Sequence, residues 1–241
     1  MRPTLDGQAA TLRPLPPLPC HATIPHILAA RRGGHIGVRM QFDYKGVSLR
    51  LLEGDITTFE ADVIVNAANS RLAGGSGVDG AIHRAAGPSV LAACQAWISE
   101  HHECRAGDAI LTTAGNLRAQ HIAHAVGPVW QGGYHSEHSL LERAYRRCLD
   151  LAAEQGARSI LFPSISTGAY GFPIDRAAYI AFNSFTRFVV ENPDSPIRSI
   201  GLVAHGTDAF AAHAEAFDRV TRTMVGTPSE VKKYDKVHEK T

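Results

Sequence analysis

Residues 63–79, with the sequence VIVNAANSRLAGGSGVD, decide the fold class of this protein. The run Val63–Val65 is apolar at every position, as is typical of a strand that is buried on both faces of a sheet. A glycine-rich loop follows it, and from Val78 onward apolar residues recur with helical spacing. A buried strand, a glycine loop and a helix in direct succession indicate an α/β fold.

The alternation of strand and helix continues on both sides of this stretch. Five further strand-like runs are Val47–Leu52, Ala109–Thr112, His121–Val126, Ser159–Phe162 and Ser199–Ala204. Apolar residues with helical spacing predict helices at about 78–98, Leu140–Leu151, Ile174–Val189 and Ala209–Val220. The alternation predicts one sheet with helices on both faces, in which ligands bind at the carboxyl ends of the strands.

Length and composition indicate a single large α/β domain with two extensions. The chain has 241 residues, of which 44% are hydrophobic, enough to form a core. We expect a proline-rich extension at residues 1–45, the domain at 46–225 and a polar tail at 226–241. Residues 27–39 are compatible with either a short helix or a strand, and Met40 is an alternative start of translation.

Charge, cysteines and hydropathy argue against several classes of protein. The net charge of +1 gives no general attraction for nucleic acid or membranes. The four cysteines have no CxxC spacing and indicate free thiols in a reducing compartment. The N-terminus lacks the apolar core of a secretory signal, and no apolar run approaches the roughly 18 residues of a membrane span. We therefore expect a cytoplasmic protein. We also expect the protein to act as a monomer.

Small polar residues and glycines follow the predicted strands at the edge where a ligand would bind. Residues 53–57 are EGDIT, residues 66–69 are NAAN and residues 163–171 are PSISTGAYG. Glycine lets backbone amides approach a ligand closely, and amides at a helix start lack partners within the helix. The loop Gly74–Gly77 is therefore a candidate cradle for phosphate, with Ser166–Gly171 as the opposing wall.

Each of these signals alone is equally compatible with an ordinary turn, but their combination is far more specific. The motifs GDIT, NAAN, GGSGVDGAIHRAAG, HAVGPVW and PSISTGAYGFP occur in that order. They closely resemble the macrodomain family and, within it, the MacroD-type ADP-ribosyl hydrolases and O-acetyl-ADP-ribose deacetylases. The resemblance covers about residues 46–222. It implies a three-layer α/β/α fold with a central mixed sheet of about six strands, and a pocket for ADP-ribose.

The resemblance implies ligand contacts for the first two loops. Asp55 would accept a hydrogen bond from the adenine amine, assisted by the backbone amide of Ile56; the alternative is a turn cap. Asn69 would hold the ribose nearest the cleaved bond; the alternative is an Asx turn. Asn66 is expected to support the loop rather than to contact the ligand.

Catalysis is expected to depend on Asp79, with Asn69 and His83 as further catalytic residues. Asp79 and His83 are four residues apart and therefore share a helix face. The resemblance implies that Asp79 lies beside the anomeric carbon of the ribose, as a base or as a group that orients water. His83 would position Asp79 or the substrate. The alternative for Asp79 is an acidic residue that only stabilises the first helical turn, and the alternative for His83 is a structural histidine.

The resemblance assigns the diphosphate and the far ribose to the two glycine-containing loops. The expected contacts are Ala68, Gly74, Gly75, Ser76, Gly77 and Val78 from the first loop, and Ser166, Thr167, Gly168, Ala169, Tyr170 and Gly171 from the second. Tyr170 is a candidate aromatic lid or an anchor of its loop. Two positions depart from the family pattern: Ser76 replaces a common glycine, and His205 replaces the Phe or Tyr that often lies against adenine.

Neither a metal nor a cofactor is expected, because the glycine loop lacks the Cys and His ligands of zinc-dependent macrodomains. His101, His102 and Cys104 resemble part of a metal site, but a solvated surface is the favoured interpretation.

The leading hypothesis is hydrolysis of mono-ADP-ribosyl esters on acidic protein side chains and of O-acetyl-ADP-ribose. The alternatives are a non-catalytic module that binds ADP-ribose, cleavage of poly-ADP-ribose, whose paired glutamates this chain lacks, and removal of ADP-ribose from nucleic acid.

Overall fold

The computed structural model describes residues 38–225, which form a seven-stranded sheet and five α-helices. The strands are β1 (Val38–Tyr44), β2 (Val47–Glu53), β3 (Val63–Ala68), β4 (Asp108–Thr113), β5 (His121–Val126), β6 (Ser159–Pro163) and β7 (Ser199–Ala204). The helices are α1 (Gly77–Ala86), α2 (Pro88–His101), α3 (Glu137–Glu154), α4 (Ile174–Glu191) and α5 (Thr207–Val225). A short 3-10 turn, Ile56–Thr58, follows β2. None of the helices in this part of the chain is long and apolar enough to cross a membrane.

The strand order across the sheet is β1-β2-β7-β6-β3-β5-β4. The five central strands are parallel, and the antiparallel strands β1 and β4 form the edges. The order reverses between β3 and β6, which is the position where open α/β sheets bind ligands. These two strands pair only at Val63–Ile64 and Ile160–Leu161, so a gap opens between their carboxyl ends.

Helices cover both faces of the sheet because the central strands are apolar on both sides. Val63 and Val65 of β3 belong to a core shared with α3, α4 and α5, whereas Ile64 belongs to a second core shared with α1 and α2. All three side chains are fully buried. The three-layer α/β/α architecture with a mixed sheet is therefore confirmed, with seven strands where about six were expected.

Two local expectations from the sequence need correction. The sheet begins before residue 46, because Val38–Tyr44 pairs with β2 and Phe42 is buried in the core. The predicted helix 78–98 is two helices, because Gly87 has a φ of +86° and Pro88 cannot donate a backbone hydrogen bond to the preceding turn. Residues 1–37 and 226–241, which include most of the predicted extension and the whole predicted tail, lie outside the described residues.

Candidate active site

The gap between β3 and β6 opens into a crevice with two compartments at the carboxyl edge of the sheet. The first has a volume of about 270 Å³ and includes Asp79, so we call it the Asp79 compartment. The second, of about 500 Å³, includes Asp55 and is called the Asp55 compartment. Both are lined by Gly77, Val78 and Gly168, among others, so they form one continuous crevice.

One wall of the crevice is the start of α1. Gly77 has a φ of +59°, and Gly80 lies so close to the carbonyl of Gly75 that a Cβ would collide with it. These two glycines let the loop fold back against the first turn of the helix. The first amides of α1 have no acceptor within the helix, and the helix dipole gives this end a partial positive charge. Ser76 is exposed and makes no capping hydrogen bond with its side chain, so its hydroxyl is available to a ligand.

The opposite wall is the loop between β6 and α4. Buried Ser166 has a φ of +67°, and its carbonyl accepts a hydrogen bond from the amide of Phe172 over 3.0 Å. Thr167 Oγ1 donates to the carbonyl of Ser164 over 3.1 Å. These bonds fix the loop, whereas the amides of residues 167–170 have no acceptor within the described part of the chain. Each wall therefore offers backbone N–H groups that an anion could bind.

Asp79 is held at the inner edge of its compartment. The residue is only 6% exposed, and Asn66 Nδ2 donates to its Oδ1 over 2.7 Å. His83 Nε2 lies 3.4 Å from the same oxygen, as the i, i+4 spacing on α1 predicts. Burial raises the pKa of Asp79; the hydrogen bond from Asn66 and the charge of His83 oppose this, but the net direction is upward. Asp79 is therefore a stronger base than an exposed aspartate.

Asp55 lies exposed at the rim of the other compartment. Its Oδ1 accepts hydrogen bonds from the amide of Thr57 over 2.9 Å and from the Thr57 hydroxyl over 2.8 Å, which caps the 3-10 turn. The cap uses one carboxylate oxygen and leaves Oδ2 for a donor on a ligand. Buried Ile56 and exposed His205 line the same compartment.

The side chain of Asn69 is engaged within its own loop. Its Nδ2 donates to the carbonyl of Gly74 over 2.8 Å, and its Oδ1 accepts from the amides of Arg71 and Ala73 over 3.1 and 3.3 Å. The Asx-type turn weighed as an alternative is therefore present. Asn69 also lines the Asp79 compartment, where one of its N–H groups remains for a ligand.

Beneath the crevice, half-buried His83 lies beside buried Cys94 and His124, and the potential ligand atoms of the three lie within 4.8 Å of one another. No spacing in the sequence indicates this cluster, whose members come from α1, α2 and β5. Its spacing suits a metal ion, but both ring nitrogens of His124 are already within hydrogen-bond distance of protein groups, Asn66 and Thr112. A metal would have to break these bonds. The absence of a metal stays a prediction.

The group His101, His102 and Cys104 does not converge on a common point. His101 stacks on Trp97 with ring centroids 4.1 Å apart, and both histidines are exposed, whereas Cys104 is buried. The prediction of a solvated surface is therefore correct for the two histidines and wrong for the cysteine.

Most of the predicted site residues lie together in the crevice. The Asp79 compartment is lined by Ala68, Asn69, Gly75, Ser76, Gly77, Val78, Asp79, Ser166, Gly168, Ala169 and Tyr170. The Asp55 compartment is lined by Asp55, Ile56, Gly77, Val78, Thr167, Gly168 and His205. Gly74, His83 and Gly171 line neither: both glycines have positive φ angles that shape the loops, and His83 contacts Asp79. The roles of all these residues toward a ligand stay predictions.

Several lining residues were missed by the sequence analysis. Gly127 lines the Asp79 compartment and packs so tightly against Ser166 that a Cβ would collide with its side chain. Its signal was the motif HAVGPVW, which begins in the last three residues of β5 and continues beyond the carboxyl end of that strand. Arg84 of α1 lines the Asp55 compartment, but a cation on an exposed helix face carries no such signal.

Comparison with known proteins identifies the family. Residues 65–181 match the family model described as Macro domain. The O-acetyl-ADP-ribose deacetylase of Enterobacter cloacae is 53% identical over 143 residues, which are 59% of this chain and 79% of that protein. This chain belongs to the macro domain family. The family resemblance found in the sequence motifs is thereby confirmed.

Solved structures support the same assignment for this macro domain. The Oceanobacillus iheyensis macrodomain with ADP is 37% identical and superimposes with a TM-score of 0.74, over 79% of this chain and 100% of that one. The Trypanosoma brucei macrodomain in complex with ADP-ribose is 36% identical, with a TM-score of 0.63 over 69% of this chain and 68% of that one.

Proposed function

We propose that this macro domain binds ADP-ribose in the crevice and hydrolyses esters carried by its terminal ribose. The observation that carries the proposal is Asp79, a buried carboxylate of raised pKa that lines the crevice in the first turn of α1. The names of the similar proteins, O-acetyl-ADP-ribose deacetylase, and the ADP and ADP-ribose in similar structures support it. O-acetyl-ADP-ribose is therefore the first expected substrate.

The two compartments suit the two ends of this ligand. Adenosine would occupy the Asp55 compartment, where Asp55 Oδ2 can accept a hydrogen bond and His205 can stack on the base. The diphosphate would cross the shared wall between the amides of both loops. No Lys or Arg of the described residues lines the Asp79 compartment, so backbone dipoles rather than side-chain charges would hold the phosphates there.

The terminal ribose would then lie beside Asp79. The carboxylate would orient one water and accept its proton as the water adds to the ester carbonyl. The products are the free acid and ADP-ribose with a free hydroxyl. An ester already has an electrophilic carbonyl carbon, so no Ser or Cys nucleophile is required. Positioning lowers such barriers by several kcal/mol, and general-base assistance contributes about 10²–10⁴-fold. A phosphate oxygen of the substrate is the competing base.

We include mono-ADP-ribose linked to Glu or Asp side chains of proteins among the substrates, because this linkage is also an ester on the terminal ribose. The test compares turnover of O-acetyl-ADP-ribose with turnover of proteins bearing Glu/Asp-, Ser- and Arg-linked mono-ADP-ribose. Mass spectrometry should detect release from the ester-linked substrates and none from the Ser- and Arg-linked ones. Release from the Ser- or Arg-linked protein at the same rate would contradict ester chemistry.

A second candidate is a module that binds ADP-ribose without cleaving it. The engaged side chain of Asn69 favours this reading, because most of its hydrogen-bonding capacity serves its own loop. Tight binding of ADP-ribose in calorimetry, with no product from any of the four substrates, would support the module and contradict the hydrolase.

A cytoplasmic, monomeric protein remains the expectation from the sequence.

A further inference from the structure

The hydrogen bonds that hold Asp79 continue into the sheet through three more side chains. Asn66 of β3 and His124 of β5 are paired in register, and both are fully buried. Asn66 Nδ2 lies 2.7 Å from Asp79 Oδ1 and 3.2 Å from His124 Nδ1. Beyond the ring, Thr112 Oγ1 of β4 lies 2.9 Å from His124 Nε2 and 3.0 Å from the carbonyl of Thr113. A continuous chain of hydrogen bonds thus leads from β4 to the carboxylate.

The direction of each hydrogen bond follows from the atoms involved. The amide nitrogen of Asn66 has two N–H groups and no capacity to accept, so it donates to Asp79 and to His124 Nδ1. The reverse amide orientation would bring its oxygen against the Asp79 carboxylate. Because Nδ1 accepts, the proton of the neutral ring is on Nε2 and is donated to Thr112. The hydroxyl proton of Thr112 is then directed to the carbonyl of Thr113.

We propose that His124, locked by Thr112 as its Nε2–H tautomer, is a positioning residue that holds Asp79 in its reactive orientation through Asn66. Only the kinetic consequence rests on the proposed hydrolase function; the hydrogen-bond arrangement does not. His124 acts by accepting the second N–H of Asn66. Without that acceptor the N–H would be buried and unpaired, and the amide could turn its oxygen toward the carboxylate.

The surroundings of His124 keep the ring neutral. Burial lowers its pKa to about 3, with a smaller contribution from His83, so the ring positions Asn66 but carries no proton to the substrate. Cys94 Sγ of α2 contacts the ring at 3.6 and 3.8 Å from Nε2 and Nδ1. Burial is also the main cause that raises the pKa of the Cys94 thiol, to about 12, so this neighbour is uncharged as well. Asn66 Oδ1 is buried and has no hydrogen-bond partner within residues 38–225, which indicates that the two acceptors on the nitrogen side determine the amide orientation.

The tautomer is tested directly in the wild-type, full-length protein. Long-range ¹H–¹⁵N spectra distinguish the two tautomers, and the His124 signal among the 13 histidines is identified by its loss in His124→Asn. We expect a protonated Nε2 and an unprotonated Nδ1 throughout about pH 5–8. A protonated Nδ1 or a charged ring would overturn the proposal. The spectra do not require turnover, so this failure is distinguishable from failure of the hydrolase function.

Two substitutions test the kinetic consequence. His124→Phe keeps a ring but removes the acceptor, and should lower kcat about 10–100-fold while KM and the Kd for ADP-ribose change less than about threefold. His124→Asn restores an acceptor oxygen near the Nδ1 position and should recover most of the lost kcat. Equal losses in the two variants, or an unchanged kcat in His124→Phe, would overturn the proposal.

Thr112→Val, compared with a matched control, tests whether Thr112 fixes the tautomer of His124. Valine keeps the shape of threonine but gives Nε2–H no acceptor, so kcat should fall and the share of the Nε2–H tautomer should decrease. Thr186→Val makes the same change in a buried threonine of α4, whose hydroxyl donates to carbonyls of its own helix, and should leave kcat and the tautomer unchanged. Equal effects in both variants would contradict a specific role of Thr112.

Discussion

Asp55 directly after β2 and Asp79 in the first turn of α1 line the same crevice, yet their surroundings differ. Asp55 is exposed and bonds to Thr57, two residues away, whereas Asp79 is buried and accepts a hydrogen bond from Asn66 in β3. Burial raises the pKa of Asp79. A few neighbouring residues thus suffice to hold an exposed carboxylate at the rim of the crevice, whereas the buried carboxylate of raised pKa depends on a buried side chain from a strand of the sheet.

The largest expected effect is a loss of kcat in Asp79→Asn. The new amide oxygen can still accept the hydrogen bond from Asn66, but it cannot take a proton from water. We expect kcat for O-acetyl-ADP-ribose to fall about 10²–10⁴-fold, with little change in the Kd for ADP-ribose. Steady-state kinetics and calorimetry measure the two. Asp194→Asn makes the same change at an exposed position before β7 and is the control. A kcat within about tenfold of wild type would transfer the role of base to a substrate phosphate.

Asp55→Ala should weaken the binding of ADP-ribose without lowering kcat, which is the opposite of the effect expected for Asp79→Asn. Loss of the hydrogen bond that the Asp55 carboxylate accepts from the base should raise the Kd for ADP-ribose about 10–100-fold and leave kcat at saturation unchanged. Thr57→Val removes the bond from the Thr57 hydroxyl but keeps the carboxylate, so it measures the effect of weakening the cap. If kcat in Asp55→Ala fell as far as in Asp79→Asn, the division of roles between the two acids would be wrong.

The pH dependence of kcat should report the ionisation of Asp79. Only ionised Asp79 can accept a proton, so kcat should fall about tenfold per pH unit below its raised pKa.

The contribution of Asp79 to the free energy of unfolding should change with pH in the opposite sense. Because the folded-state pKa exceeds the unfolded value, the contribution of Asp79 to stability is complete below the unfolded pKa and is lost as the pH rises through the folded pKa. Rate profiles and thermal unfolding across about pH 4–8 measure both, and Asp79→Asn should flatten both. A rate profile unchanged in Asp79→Asn would contradict this origin.

The smallest expected effect concerns His205 in the Asp55 compartment. His205→Phe supplies a larger apolar ring against the base and should lower the Kd for ADP-ribose about two- to tenfold, with kcat unchanged. His102→Phe adds the same aromatic ring at an exposed position after α2 and should leave the Kd unchanged. Weaker binding by His205→Phe would indicate that the imidazole makes a polar contact with the ligand.

Much of the fold could be predicted because its signals are local. Strand–helix alternation predicted six strands at their observed positions, and the glycine loop predicted the start of α1. The missed strand β1 also had a local signal, since Val38, Met40, Phe42 and Tyr44 alternate with polar residues. The break at Gly87-Pro88 was equally readable, but the apolar spacing that runs through it favoured one helix.

The loops that meet at the carboxyl edge of the sheet follow from the sequence alone, including the turn that Asp55 caps by accepting from Thr57, because these features depend on residues a few positions apart. Which carboxylate is buried, and what holds it, depends on how distant parts of the chain pack together. Asn66 and His124 are 58 positions apart in the chain and become neighbours through the register of β3 and β5. A hydrogen bond between paired strands leaves no periodic signal in the sequence, so the network that supports Asp79 appears only once the strand order is known.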